Sequence, residues 1–372
     1  MTSIIYVGMD VHTTNYTLCC YSMEDDRFFA EVQVEPEAKN ILKYLARIEK
    51  QQSRDCRIVC GYEAGCLGYS LYHQLHAHGI DCVILAPTTM MTKPGKRIKT
   101  DRRDARLISK CLAFHTYSPV YIPTEVDDAV KEYIRMRDDA NSALARVKQQ
   151  IIAFCIRHGK IHDGKSYWTN KHLEWLSSLD LGNKILSEVL QEYLIRYYQL
   201  REQVDMYDMR INELAQAEPY RQKVEKLGCF RGIAAHTALS FCVEVGDFRR
   251  FATAQQFASY LGLVPGECSS GDKQQYTGIT KAGNSHLRKL LVETAQVFGR
   301  SATKSGKSVA LKERQAKCDS LTVAYADKAN ARLKKKYFKI AMRSKVNIAK
   351  TAVAREMACF IWGMMTDNIS CA

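Results

Sequence analysis

The first 115 residues alternate short apolar segments with helical ones, and this alternation constrains the fold more than any other feature of the chain. The apolar segments are rich in β-branched and aromatic residues and are bounded by turns, which is typical of buried strands. They cover residues 4–9, 16–21, 28–34, 57–62 and 82–86. Helical patterns cover about 37–52, 68–78 and 102–114. An early meander of three strands, followed by mixed strands and helices, predicts an α/β domain.

Four carboxylates lie where this domain leaves a predicted strand or enters a predicted helix. Asp10 follows the first strand and Glu63 ends the fourth, while Asp101 and Asp104 are three apart at a helix start and share one face. Carboxylate clusters suit Mg²⁺ or Mn²⁺, and two such ions about 3.5–4 Å apart can hold the reacting oxygens of a phosphoryl transfer. The structural alternative is that these are turn residues and helix caps, with Thr100 as an N-cap.

Basic residues surround this pair of aspartates, on both sides of a Pro-Gly turn. In a metal-dependent nuclease they would hold the phosphates of the strand being cut. In a purely structural arrangement they would pair with the aspartates. The residues are Lys93, Lys96, Arg97, Lys99, Arg102, Arg103 and Arg106.

The excess positive charge of the chain lies in its last hundred residues. Of 54 Lys and Arg and 40 Asp and Glu, residues 273–372 hold 20 and 6, which leaves 34 of each in residues 1–272. Such a basic segment predicts salt-sensitive, largely sequence-independent binding of nucleic acid. The alternative is a solvated face that only aids solubility.

Composition excludes several other classes of protein. A chain of 372 residues with 46% hydrophobic and 25% charged residues is typical of a folded protein with two or three domains. No apolar run is long enough for a membrane helix, and no signal sequence opens the chain, so we expect a cytoplasmic protein. The 14 cysteines form no Cys-x-x-Cys pair and the histidines at 73, 76 and 78 complete no zinc pattern, which favours reduced, buried thiols.

The pattern after residue 120 is mainly helical. Apolar residues recur at helical spacing over 127–158 and 171–217, which predicts two antiparallel helices or a coiled-coil arm. A glycine turn at 228–232 then resembles a helix-hairpin-helix. The sequence therefore predicts three domains, with bounds 1–120, 121–218 and 219–372.

A loop rich in glycine, serine and cations occupies 262–289 and leads into a helix. Backbone N–H groups and cations before a helix start form a plausible phosphate site, for which Lys281, Arg288 and Lys289 are candidates. Its adjacent serines, Ser269 and Ser270, are candidate nucleophiles or ordinary turn residues.

Several motifs occur together in one order and resemble the DEDD transposases of bacterial insertion sequences, which are bridge-RNA-guided serine recombinases. No single motif is decisive, but their joint presence over residues 4–295 is specific. They are Asp10 after the first strand, Tyr-Glu-Ala-Gly at 62–65, the segment 86–105 that ends in Lys-Thr-Asp-Arg-Arg-Asp-Ala, and the loop with Gly-Leu-Val-Pro (262–265), Ser-Ser-Gly (269–271) and Thr-Lys-Ala-Gly-Asn (280–284).

The resemblance implies an RNase H-like (RuvC-like) N-terminal domain in which Asp10, Glu63, Asp101 and Asp104 hold Mg²⁺. It further implies a coiled-coil arm, a mainly α-helical C-terminal transposase domain, and Ser270 as nucleophile, with Ser269 as the near alternative. The implied partners are target and donor DNA, a structured guide (bridge) RNA, and further copies of the chain in a homodimer or homotetramer. Two alternatives remain at this point: a RuvC-like junction nuclease that uses water, and a non-catalytic nucleic-acid-binding protein.

Overall fold

The computed structural model describes residues 3–52, 56–65, 67–90, 100–267, 275–300 and 306–369. The chain divides into two compact units, Met1–Ile122 and Pro123–Ala372. The first unit is built on a sheet and the second is mainly helical. This confirms the prediction of an α/β region followed by a helical one, whereas the division into three domains remains a prediction.

The first unit contains a five-stranded mixed sheet. Its elements are β1 (Ser3–Val11), β2 (Tyr16–Ser22), β3 (Arg27–Val34), α1 (Ala38–Gln51), β4 (Cys56–Glu63), α2 (Ser70–Ala77), β5 (Asp81–Leu85) and α3 (Asp101–Ala113). The strand order is β3-β2-β1-β4-β5, with β1–β2 and β2–β3 antiparallel and β1–β4 and β4–β5 parallel. The predicted meander is therefore present, and β1 lies at the centre of the sheet.

Alternate residues of β1 face opposite sides of the sheet, as the two-residue period of a strand requires. Ile5, Val7 and Met9 enter a core with α1 and α2, whereas Tyr6 enters a second core with α3. Asp10 follows the same alternation as Tyr6 and therefore belongs to the α3 side. This alternation decides which helix can reach the first carboxylate.

The second unit contains ten helices in its described residues and one short hairpin. The elements are α4 (Glu125–Arg157), α5 (Asn170–Ser177), α6 (Lys184–Gln216), α7 (Arg221–Gly228), α8 (Ala235–Val245), α9 (Ala254–Tyr260), β6 (Pro265–Glu267), β7 (Tyr276–Ile279), α10 (Ser285–Ala295), α11 (Val309–Gln315), α12 (Ser320–Ala341) and α13 (Val346–Met365). Helices α4 and α6 form a long pair, which we call the arm. Its outer part has a core of its own, and its base packs into the core of the C-terminal helices.

Two details differ from the sequence-based expectations. The predicted helix at 171–217 is interrupted, because Gly182 has φ +64° and Asn183 caps α6 through Oδ1, which accepts hydrogen bonds from Ile185 and Leu186 N–H. The glycine-rich loop contains the hairpin β6–β7, in which Pro265 pairs with Ile279 and Glu267 with Tyr276.

Candidate metal centre

Gly8 allows α3 to lie directly on β1. A Cβ atom at this position would stand 2.0 Å from the carbonyl oxygen of Ala105 and 2.4 Å from the backbone nitrogen of Ser109. Only a residue without a side chain permits so close an approach of two backbones. The N-terminal turn of α3, which carries Asp101 and Asp104, is thereby held near the end of β1.

The close approach brings Asp10, His12 and Asp101 together. One possible ligand atom from each lies within 4.8 Å of the other two. His12 Nε2 lies 3.2 Å from Asp10 Oδ1, while Asp10 Oδ2 is buried and accepts no hydrogen bond. A buried carboxylate oxygen without a partner is costly, and a bound cation would satisfy it.

The electrostatics of Asp10 also favour a cation. Burial raises the pKa of its carboxyl group, and the neighbouring carboxylates of Asp104 and Asp101 raise it further, against the opposite effect of His12. The fold therefore concentrates negative charge on a partly buried group. Carboxylate clusters of this kind commonly bind divalent ions.

Glu63 and Asp104 lie near this group but are not part of it. Asp104 is close enough to affect the pKa of Asp10. Met9 of β1 is paired with Tyr62 of the parallel strand β4. Glu63, the next residue of β4, therefore lies beside Asp10, the next residue of β1. Within the described ranges, the ligand atoms that lie within 4.8 Å of one another belong to Asp10, His12 and Asp101.

His12 is the site residue that sequence reasoning missed. It follows Asp10 by two residues, a spacing that keeps both side chains on one face of a strand. That spacing could have drawn attention to it. Imidazole nitrogen and carboxylate oxygen together fit a divalent ion, and they do not by themselves decide which one.

The basic residues that flank Asp101 and Asp104 in the sequence divide into two groups. Lys93, Lys96, Arg97 and Lys99 lie outside the described residues. Arg102 and Arg106 instead contact Glu31 of β3, with Nε–Oε distances of 3.3 and 2.6 Å. Their observed partner is therefore Glu31, and Arg103 is exposed on the same helix.

Ser269 and Ser270 also lie outside the described residues, but both ends of their loop are described. Lys281 and Lys289 are exposed. Arg288 donates hydrogen bonds from Nη1 to the carbonyl oxygens of Leu261 and Ala282, and burial lowers its pKa. Arg288 thus has a structural role in the loop stem, and its contact with nucleic acid remains a prediction.

Comparison with protein families agrees with this architecture. A family described as Transposase, of the DEDD IS110 type, matches residues 7–156, which include the acidic centre formed by Asp10, His12 and Asp101. A second, described as the Transposase IS116/IS110/IS902 family, matches residues 225–314. This range includes the loop over 262–289 that carries Ser269 and Ser270, which we call the serine loop. The fold, the acidic centre and these matches define a DNA transposase.

Individual relatives match over most of the chain. The transposase for insertion sequence element IS1533 of Leptospira borgpetersenii is 32% identical over 340 residues, which cover 90% of this chain and 95% of the relative. The y4qE protein of Sinorhizobium fredii is 36% identical over 307 residues, 82% of this chain and 75% of its own. The transposase for element IS1111A of Coxiella burnetii is 27% identical over 235 residues, 61% of this chain and 62% of its own.

The chain therefore belongs to the IS110-type DEDD transposases of insertion sequences. Membership of this family implies the use of a divalent metal and action on DNA. Across the described residues, no helix is long and apolar enough to span a membrane.

Proposed function

We propose that this transposase cleaves and rejoins DNA strands under the guidance of an RNA, through a covalent phosphoserine intermediate. In this proposal Asp10, Glu63, Asp101 and Asp104 hold Mg²⁺, or Mn²⁺ in its place. The observation that carries it is the buried, unpartnered Oδ2 of Asp10 close to Asp101, in a chain of the DEDD transposase family. The reaction would take place in the cytoplasm.

The proposed role of each residue follows from the chemistry of its side chain. Asp10 and Asp101 would hold the ion between the end of β1 and the start of α3, and His12 would orient Asp10. Bound Mg²⁺ would neutralise charge on the reacting phosphate and favour an ionised hydroxyl. The remaining residues would contact the DNA backbone, as proposed for Lys93, Lys96, Arg97, Lys99, Arg102, Arg103, Lys281, Arg288 and Lys289.

Ser270 would supply the nucleophile, with Ser269 as the alternative. Its Oγ would form a bond to phosphorus as the phosphodiester bond to one DNA oxygen breaks. The serine proton would pass to solvent, and the departing DNA oxygen would take a proton from solvent. The products are a DNA hydroxyl and a phosphoserine ester. Attack by a hydroxyl of a second strand would reverse the step and release serine, so rejoining needs no high-energy cofactor.

Surface features of the second unit support the proposed partners. Exposed cations recur along one face of α12, which suits the phosphates of target DNA, donor DNA or the guide RNA; they are Lys328, Arg332, Lys335 and Lys339. On the arm helix α6, Ile185, Val189 and Ile195 are 69%, 38% and 49% exposed. Exposed apolar side chains on one helix suit pairing with another copy of the chain in a homodimer or homotetramer.

The proposal is tested by producing the protein together with the DNA that flanks its element, so that any guide RNA is present. A Mg²⁺-dependent protein–DNA adduct should appear on denaturing gels with the parent. It should be lost in both Ser270→Ala and Asp101→Asn, and retained in a matched control at an exposed aspartate, Asp163→Asn. Cleavage without an adduct would contradict the serine step and indicate water as the nucleophile. If the adduct is lost in Ser269→Ala but retained in Ser270→Ala, Ser269 is the nucleophile.

A further inference from the structure

A partly buried network of charged side chains lies at the base of the arm. His286 of α10 engages both ring nitrogens: Nε2 lies 2.7 Å from Asp138 Oδ2 of α4, and Nδ1 lies 2.5 Å from Glu244 Oε1 of α8. The side chains of His286, Asp138 and Glu244 are 19%, 20% and 3% exposed. An imidazole that faces a carboxylate at each nitrogen donates both hydrogen bonds only when protonated.

The surroundings stabilise this positive charge. Burial alone would lower the pKa of His286, but the hydrogen bonds to Asp138 and Glu244 outweigh it and raise the pKa to about 9. Burial likewise opposes ionisation of both carboxyl groups, yet the contacts with His286 and its neighbours lower the pKa of each. At neutral pH one imidazolium therefore bridges two carboxylates.

The network continues into both helices of the arm. Asp138 Oδ1 accepts a hydrogen bond from Arg137 Nη1 at 3.1 Å, and Arg137 also donates two hydrogen bonds to Asp208 of α6, at 2.7 and 2.9 Å. His236 Nε2 of α8 lies 3.0 Å from Asp138 Oδ1 but off the line of a good hydrogen bond. Arg135 adds a favourable charge near Glu244.

In the other direction the network reaches the stem of the serine loop. Glu244 Oε2 accepts a hydrogen bond from Asn284 Nδ2, and Asn284 Oδ1 in turn caps α10 by accepting one from Leu287 N–H at 2.9 Å. The hydroxyl group of Tyr260 of α9 lies 3.3 Å from the same Asn284 amide. A Cβ at Gly283 would stand 2.0 Å from the carbonyl oxygen of Tyr260, so the stem lies tightly against α9.

We propose that His286 is a positioning residue, which fixes the described stem of the serine loop, residues 276–284, to the base of the arm. A displacement of α4 or α6 at the arm base would move Asp138 and, through His286 and Glu244, the Asn284 cap. The arm and the loop stem thus behave as one body while the bridge is protonated. The link to catalysis rests on the proposed function, because it requires Ser270 to be the nucleophile; the mechanical link does not.

Amide hydrogen exchange tests the mechanical link independently of any reaction. In the full chain, His286→Gln should exchange the amides of 276–284 about ten-fold faster than the parent, while α12 and α13 keep their protection. Asn284→Ser, which keeps a cap but loses the amide bound to Glu244, should have the same local effect. The matched control is His158→Gln, at the exposed histidine that caps the C-terminus of α4, and it should leave the stem unchanged.

A pH series adds a readout that simple loss of packing would not produce. After correction for intrinsic exchange rates, the parent stem should lose protection as the pH rises through about 9, whereas the stem of His286→Gln should show no such transition. In the parent, the rate of adduct formation should fall over the same pH range in which the stem amides lose protection from exchange. Unchanged exchange in both variants, or equal acceleration throughout the second unit, would overturn the proposal. If the parent forms no adduct, the proposed function is refuted. The proposal that His286 positions the loop stem is then decided by hydrogen exchange alone.

Discussion

Replacing Gly8 with Ala should separate α3 from β1 and weaken the acidic centre without changing any of its ligands. The new Cβ would start 2.0 Å from the Ala105 carbonyl oxygen, and ordinary contact begins at 3.4 Å, so α3 must retreat by about 1.4 Å. Overpacking of this kind costs about 1–3 kcal/mol. We expect the upper end, because both obstructing atoms belong to helix backbone and cannot rotate away.

The assay is thermal unfolding of parent and variant, with and without Mg²⁺ or Mn²⁺. A loss of about 3 kcal/mol should lower the unfolding temperature of the first unit by roughly 10 °C. The stabilisation that the parent gains from metal should largely disappear, since Asp101 would move with α3 away from Asp10.

The matched control is Gly61→Ala, on the same side of the sheet in β4. Its Cβ would meet only methyl groups of Leu112 and Leu85, at 2.8 Å, and such side-chain ends can shift. It should therefore cost less than Gly8→Ala and preserve the effect of metal. If the two variants unfold alike, or if Gly8→Ala keeps the full metal effect, the close approach at Gly8 does not build the centre.

Three further predictions concern charge. Asp10→Asn should stabilise the metal-free protein at neutral pH, because the raised pKa of Asp10 means that folding disfavours its ionised carboxyl group. In the parent, Mg²⁺ at a hundredfold excess over Kd should raise the free energy of unfolding by about 2.7 kcal/mol, and this increase should vanish in the variant. Melting curves measure both effects. The parent should have a higher free energy of unfolding than His286→Gln, and this difference should be largest below pH 6.5 and fall by about 3 kcal/mol as the pH rises through about 9. Urea unfolding of both proteins over this pH range measures the difference. The double variant Lys335→Ala/Lys339→Ala should reduce the slope of log K against log salt by about 2 for any duplex sequence, whereas Lys43→Ala should not.

The sequence predicted those parts of the fold that local pattern determines. The strands are apolar segments bounded by turns, and α3 begins where Thr100 accepts a hydrogen bond from the backbone N–H of Arg103, as expected of an N-cap. The positions of Asp10 and Asp101 followed from those two element ends. Their proximity depends on the close approach at Gly8, which a sequence does not display.

Features that depend on distant contacts were not predictable in the same way. The partners of His286 lie 148 and 42 residues away in sequence, on helices whose mutual packing no local pattern specifies. The hairpin β6–β7 is only three and four residues long per strand, too short for a periodic signal. His12 stands two residues after Asp10, but this spacing does not show that a third ligand atom, from Asp101, lies close to both.

The most direct test of the serine mechanism is to digest the protein from a Mg²⁺-dependent reaction on its own element DNA and to identify the DNA-linked peptide by mass spectrometry. The serine mechanism predicts one linked peptide, which covers Ser269 and Ser270 and carries the phosphate on Ser270, and no linked peptide from Asp10→Asn. Cleaved DNA with no linked peptide, or a link at any residue outside this loop, would contradict the serine mechanism.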